Sequence, residues 1–285
     1  MASEAMTKPL VIYHANCWDG FCAAWVARGA LGDIEAVPAH YGTEPPDCDG
    51  RHVYILDFSY PRDVMLRLFR MAAATVVLDH HKTAQSALDG IVDEYMSSPL
   101  YLANPSDLPT IVFDMEKSGA RLAWEYFYPR ADGCPELVAY TEDRDLWRHA
   151  LPFSQEINAA LRSYPLDFEL WSEFHQRGLE PFIAEGEAIR RREQQIVNDH
   201  VRNARDVEMD GHCVSVVNAT VLFSEIAGEL AKGRPFGACY FDRKDGKRQW
   251  SLRSDEQGVD VSALAKARGG GGHVRAAGYE EPIGE

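Results

Sequence analysis

Short apolar runs that stop, one after another, at a carboxylate or an imidazole are the feature of this chain that most restricts its fold. "PLVIYH", "IEAVPA", "HVYILDF", "ATVVLDH" and "TIVFD" have the brevity and the continuous apolar character of parallel strands buried on both faces. Helical patterns fall between them. "SYPRDVMLRLFRMA" offers Ser59 as N-cap, Pro61 in the first turn, and Val64, Met65, Leu68 and Phe69 at helical spacing. "SGARLAWEYF" sets Leu122, Ala123, Tyr126 and Phe127 on one face. Strands alternating with helices predict an α/β domain, a parallel sheet with helices on both faces.

From Glu136 to about Arg177 the pattern turns helical, and "PFIAEGEAIRRREQQIVNDHVRNA" then spaces Ile183, Ile189, Ile196, Val197 and Val201 as a long, mostly exposed helix. After it, "HCVSVVNA" reads as a strand, "FSEIAGELAK" as a helix and "FGACYFDRKDGKRQWSLRS" as a hairpin turning at Asp245-Gly246. The expected organisation is an N-terminal α/β domain over 1–180, a linker helix over 181–205 and a smaller mixed α/β domain over 206–285. A chain of 285 residues accommodates two such cores.

A net charge of −15 speaks against a protein that coats long duplex DNA, because many phosphates need an extended basic surface. It leaves room for a small anion held by a few local cations. The six cysteines form no CxxC pair, so neither a disulfide framework nor a cysteine zinc site is indicated. With no apolar run of membrane-spanning length and no basic, apolar leader at the start, a cytoplasmic protein that avoids membranes is expected.

Chemistry gathers at the strand ends. In open parallel sheets ligands collect beyond the carboxyl ends of the strands. Here the first strand delivers His14 and then Asp19, the third Asp57, and the fourth Asp79, His80 and His81. Taken singly, an Asp after a strand is a turn or cap residue more often than a ligand. Three strand ends converging on carboxylates mixed with imidazoles suit manganese or a similar borderline cation. "YTEDRDLW" adds Asp143 or Asp145 over the same rim. Near the other terminus, "RGGGGHVRAAG" places Gly270, Gly271 and Gly272 before His273 and Arg275, a loop whose backbone amides can approach an anion. A bare hinge has no need of "HVRAAG" after it. Arg253 in "WSLRS" is a second candidate phosphate clamp.

The ordered set "HANCWDG", "ILDF", "LDHH", "EDRDLW" and "GGGGHVRAAG" resembles the DHH phosphoesterase family with its C-terminal DHH-associated domain, over nearly the whole chain. The resemblance implies two divalent ions, manganese foremost with magnesium or cobalt as substitutes. His14 and Asp57 would hold one, and Asp19, Asp57, His80 and Asp143 the other. Asp79 would be a ligand or its close partner and His81 would meet the substrate, so both are catalytic candidates. Gly270, Gly271, Gly272, His273, Arg275 and Arg253 would bind substrate. The implied activity is a manganese-dependent phosphodiesterase that releases nucleoside monophosphates from short oligonucleotides. Cyclic or linear dinucleotides and a nucleoside bisphosphate are alternative substrates, and a catalytically weakened nucleotide-binding protein is an alternative function. A monomer and a homodimer are both compatible with it. One departure stands out: many relatives carry two aspartates in the first motif, whereas here Asn16, Cys17 and Trp18 precede Asp19. A thiolate from Cys17, the Asn16 carbonyl, water or substrate phosphate would complete the shell, or Cys17 is a small buried thiol.

Overall fold

In the first half of the chain the apolar runs become strands β1 (Leu10–His14), β2 (Glu35–Ala39), β3 (His52–Leu56), β4 (Ala74–Asp79) and β5 (Thr110–Phe113). This computed structural model describes residues 8–99, 101 and 108–283, which divide into two compact units, Met1–Glu187 and Ala188–Glu285. The sheet of the first unit has the order β2-β1-β3-β4-β5, and every neighbouring pair is parallel. Leu10, Val11 and Ile12 are successive residues with no exposure at all, so both faces of β1 are covered, as continuous apolar runs require.

Helices α1 (Trp18–Leu31), α2 (Arg62–Met71), α3 (Lys82–Leu88), α4 (Ile91–Met96), α5 (Gly119–Phe127), α6 (Glu136–Asp145), α7 (Ser154–Leu161) and α8 (Phe168–Arg177) supply the cover. Val64, Met65, Leu68 and Phe69 of α2 are buried as their spacing predicts. They share a core with Ile12, Ile55, Val77 and Tyr95, each such side chain contributing about 1.5–3 kcal/mol when fully buried. The start of α2 differs from expectation. Pro61 is the N-cap, and the Ser59 hydroxyl donates to Asp79 Oδ2 at 2.6 Å, a charge-assisted bond that outcompetes capping.

The chain runs from β1 out to β2 and returns to β3 on the other side of β1. At such a reversal the connections leave in opposite directions and open a crevice at the carboxyl ends of the two strands. His14 ends β1 and Asp57 follows β3 directly, so topology places both at its mouth.

Helix α9 (Phe182–Arg202) crosses the boundary between the units, and its Val197 joins Val217, Ile226 and Leu230 in a core of the second. That unit contains β6 (Arg205–Met209), β7 (His212–Asn218), α10 (Phe223–Ala231), β8 (Gly237–Asp242), β9 (Lys247–Arg253), α11 (Val261–Lys266), β10 (Gly271–His273) and β11 (Ala276–Pro282). Its sheet has the order β10-β11-β9-β8-β7-β6 and is mixed, with β7 and β8 parallel and the other pairs antiparallel. The glycine run is part of this sheet: Gly271, Gly272 and His273 pair with Gly278, Ala277 and Ala276. Among the described residues no helix is long and apolar enough to cross a membrane.

Candidate metal centre

Asp57 sits where the site is built. It follows β3 with φ of 55°, a left-handed conformation that Asp adopts more readily than most residues but that still costs energy. Its amide donates to Leu78 O at 2.8 Å, which fixes the turn, and the residue is 1% exposed. The two carboxylate oxygens face different partners. Oδ1 lies 3.0 Å from His80 Nε2 and 4.0 Å from His81 Nδ1. Oδ2 lies 3.5 Å from His14 Nδ1 and accepts from Cys17 Sγ at 3.2 Å.

Around it the ligand atoms fall into two trios, His14, Asp57 and His81, and Asp19, Asp57 and His80, each with its atoms within 4.8 Å of one another. Asp57 belongs to both. Asp145 extends the second trio, its Oδ2 3.5 Å from His80 Nε2. That oxygen is buried without a hydrogen-bond partner, an expensive state for a carboxylate unless a cation joins it. Mixed imidazole and carboxylate donors around a shared carboxylate therefore fit a pair of divalent cations.

The electrostatics of the side chains point the same way. Burial pushes the Asp57 carboxyl up, yet the imidazoles of His14 and His80 outweigh it and hold the group well below the usual carboxylate range. Burial drives Asp19 well above that range, and the charges of Asp57 and Asp145 add to the effect. Burial also raises Asp145, with Asp57 adding to it against the opposing charge of His80. His80 is penalised by burial but is held well above its ordinary value by Asp57, Asp145 and Asp19. Carboxylates crowded at this density repel one another, and cations relieve the repulsion.

Asp19 is held from an element that the sequence marks as a helix but not as part of the site. Gly119 N and Ala120 N, at the start of α5, donate to its two oxygens at 2.6 and 2.9 Å, a carboxylate seated on a helix N-terminus. The approach needs a glycine. A Cβ on residue 119 would lie 2.5 Å from Asp57 Cβ and 2.9 Å from Asp19 Oδ2. Helix α5 is itself held in place, because Glu142 accepts from Ser118 N at 3.4 Å and Arg121 Nε at 2.9 Å.

One expectation is corrected. Asp143 is not among the converging groups: its oxygens accept from Ala150 N at 2.9 Å and Leu151 N at 3.3 Å, so it shapes the loop after α6. Residues two apart on a helix face nearly opposite ways, and it is Asp145 that faces the site. Asp79, expected as a ligand or the close partner of one, lies where the second role would put it. Its Oδ1 accepts from His80 N, His81 N and His81 Nδ1 at 2.7, 3.2 and 2.7 Å, and its Oδ2 from Ser59. With its acceptor sites filled, Asp79 orients His81 from behind. Burial pushes Asp79 up, but His81 and Ser59 hold it below the usual range.

His14, Asp19, Asp57, His80 and His81 are thus together. In the second unit, Arg253 donates to Ser224 Oγ at 2.6 Å and Leu252 O at 2.8 Å. Arg275 donates to Asp255 O, and Gly272 takes φ of 135°, closed to most side chains.

Among solved structures, the DHH domain of a member of a ribosomal-protein family superposes with a TM-score of 0.56 at 12% identity, over 97% of this chain and 83% of that one. The fold is that of a DHH domain. No family model matches the sequence. An uncharacterised protein of Acanthamoeba polyphaga mimivirus is 28% identical over 295 aligned residues, 94% of this chain and 66% of that protein. The oligoribonuclease NrnB of Bacillus subtilis is 32% identical over 90 residues, 32% of this chain and 21% of that protein. The chain thus spans about two thirds of the first relative's length and about a fifth of the second's. Within the DHH fold, the "LDHH" run provides the end of β4 and the two imidazoles that flank Asp57.

Proposed function

We propose that this DHH protein is a divalent-metal-dependent phosphodiesterase that hydrolyses short oligonucleotides or dinucleotides, with manganese the ion its family resemblance implies. The observation that carries the reading is the pair of ligand trios sharing Asp57 at the mouth of the β1/β3 crevice. His14, Asp57 and His81 would hold one ion, and Asp19, Asp57, His80 and Asp145 the other. Bound there, paired divalent ions supply an acidified water and neutralise charge on phosphoryl oxygens.

The chain's own residues do the positioning. The amides of Gly119 and Ala120 fix Asp19. Asp79 sets the His81 ring by its bond to Nδ1, the ring that would meet an ion or a phosphate oxygen. Asp57, in a left-handed turn, turns Oδ1 to His80 and Oδ2 to His14. Phosphate capture falls to Arg253, Gly270, Gly271, Gly272, His273 and Arg275 of the second unit. The NrnB match supports an oligoribonucleotide substrate, and the charge of −15 favours short substrates over long ones.

Short RNAs, short DNAs, cyclic and linear dinucleotides and nucleoside bisphosphates, incubated with manganese and with a chelator, test the reading. Chelator-sensitive release of nucleoside monophosphate is expected, lost by about a thousandfold or more in Asp57→Ala. Unchanged turnover in Asp57→Ala, or no turnover of any substrate in a metal-loaded protein, overturns it.

A further inference from the structure

Cys17 is a ligand-type side chain at the centre that belongs to neither trio. Cys48 and Cys239 pack among apolar side chains in the cores, the Cys48 thiol donating only to a nearby backbone carbonyl, Pro46 O, at 3.1 Å. Cys17 instead donates its thiol proton to Asp57 Oδ2 at 3.2 Å, the oxygen that His14 Nδ1 approaches at 3.5 Å. The backbone is shaped to bring this about. Asn16 takes φ of 56°, a left-handed turn that asparagine tolerates, between His14 at the end of β1 and Cys17 just before α1, which both reach one carboxylate. Cys17 is then fixed as the N-cap of α1, its carbonyl accepting from Phe21 N at 3.0 Å.

The sulfur-to-oxygen spacing is that of neighbouring ligands on one ion. Bonds of about 2.3 Å to sulfur and about 2.1 Å to oxygen, at angles between square and tetrahedral, separate the two atoms by roughly 3.1–3.6 Å. Burial pushes the Cys17 thiol well above its ordinary value, and the charges of Asp57, Asp145 and Asp19 add to the effect. A neutral thiol offsets little of that negative charge, whereas a cation shared with Asp57 offsets it directly.

We propose that Cys17 is a metal ligand, and that its sulfur shifts the centre's preference from manganese and magnesium towards softer divalent ions such as cobalt, zinc and ferrous iron. The inference rests on the metal centre proposed above. On binding, the S–H bond breaks, a sulfur–metal bond forms and the proton leaves to solvent, so charge and atoms balance without a redox partner. The selectivity follows from ligand softness: thiolate strengthens binding to cobalt and zinc far more than to manganese or magnesium.

The full-length protein, stripped of metal and titrated with cobalt(II), gives the test. A sulfur-to-cobalt charge-transfer band in the near ultraviolet should grow with cobalt and saturate. In Cys17→Ser the band should vanish while the visible ligand-field bands remain. Chelator competition should show Cys17→Ser losing about tenfold or more in cobalt affinity and distinctly less in manganese affinity, and Cys17→Asp gaining manganese affinity at the expense of cobalt. The wild-type spectrum alone can overturn the inference, whatever the variants do to folding: cobalt bound and phosphodiester hydrolysed with no sulfur band means Cys17 is not a ligand. A band that persists in a folded Cys17→Ser has the same force. Failure to bind any divalent ion removes the proposed function together with this inference, so the two failures are distinguishable.

Discussion

Gly119→Ala adds one methyl group at a position remote from any expected ligand motif and should disable the site. The new Cβ would stand 2.5 Å from Asp57 Cβ, 2.9 Å from Asp19 Oδ2 and 3.0 Å from Asp57 Cα. Carbon atoms in contact settle near 3.5–4.0 Å apart, so the start of α5 must retreat by about 1 Å or the Asp57 turn must give. Retreat stretches the 2.6 Å bond from Gly119 N to Asp19 beyond hydrogen-bonding range. Overpacking costs about 1–3 kcal/mol, and losing a hydrogen bond to a charged group about 1.5–3 kcal/mol. Alanine's better helix propensity returns at most about 1 kcal/mol. The net loss is about 2–5 kcal/mol, a fall in melting temperature of roughly 4–20 °C at about 2–4 °C per kcal/mol. Turnover should fall about a hundredfold from a displacement of this size. Differential scanning calorimetry and a manganese-dependent nucleotide-release assay read the two effects separately. A variant within about 0.5 kcal/mol of the parent, with the parent's turnover, would refute the close approach of α5 to the two aspartates.

Four other outcomes follow from the same geometry. Asp145→Asn should weaken divalent-ion binding by about 10–100-fold with little loss of stability, measured by isothermal titration calorimetry. Asp143→Ala should do the reverse, costing about 1.5–3 kcal/mol through the freed amides of Ala150 and Leu151 while ion affinity holds, which chemical denaturation and calorimetry distinguish. Ser59→Ala frees one oxygen of Asp79 and should cost about 1–3 kcal/mol, with His81 less well fixed and turnover reduced. The pH profile of the ion-free protein should have a definite sign. His80 and His81 are held above 6.5 by their carboxylate partners against the opposing effect of burial, so their stabilisation is complete below about pH 6.5 and is lost as pH rises through the raised values. Asp57 and Asp79 are held below 3.8, so theirs is present above about pH 4 and is lost as pH falls through the lowered values. A divalent ion needs the imidazoles unprotonated, so the melting-temperature gain from manganese should grow as pH rises, and a gain that is flat or shrinks would contradict the assignment of His80 and His81 as ligands.

Strand ends were the legible part of this chain because two physical constraints act on them together. A strand buried on both faces must be apolar throughout, so a carboxylate or imidazole at its end is visible against that background, as His14, Asp57 and His80 are. Parallel strands also share one direction, so those ends must lie along a single rim. Neither constraint reaches the groups that arrive from helices. Asp143 and Asp145 differ by about 200° of helix rotation, and it is Asp143 that the loop amides of Ala150 and Leu151 hold turned away. Gly119 carries no chemical group at all; its part is to be small where α5 meets two aspartates, a requirement that exists only once the tertiary contact is made. Ser59 was legible as a helix cap, but Pro61 holds that position and the Ser59 hydroxyl donates to Asp79 Oδ2 at 2.6 Å instead. The residues that hold the centre in place are therefore less readable than those that compose it, because their role is defined by distance to another segment and not by their own chemistry or period.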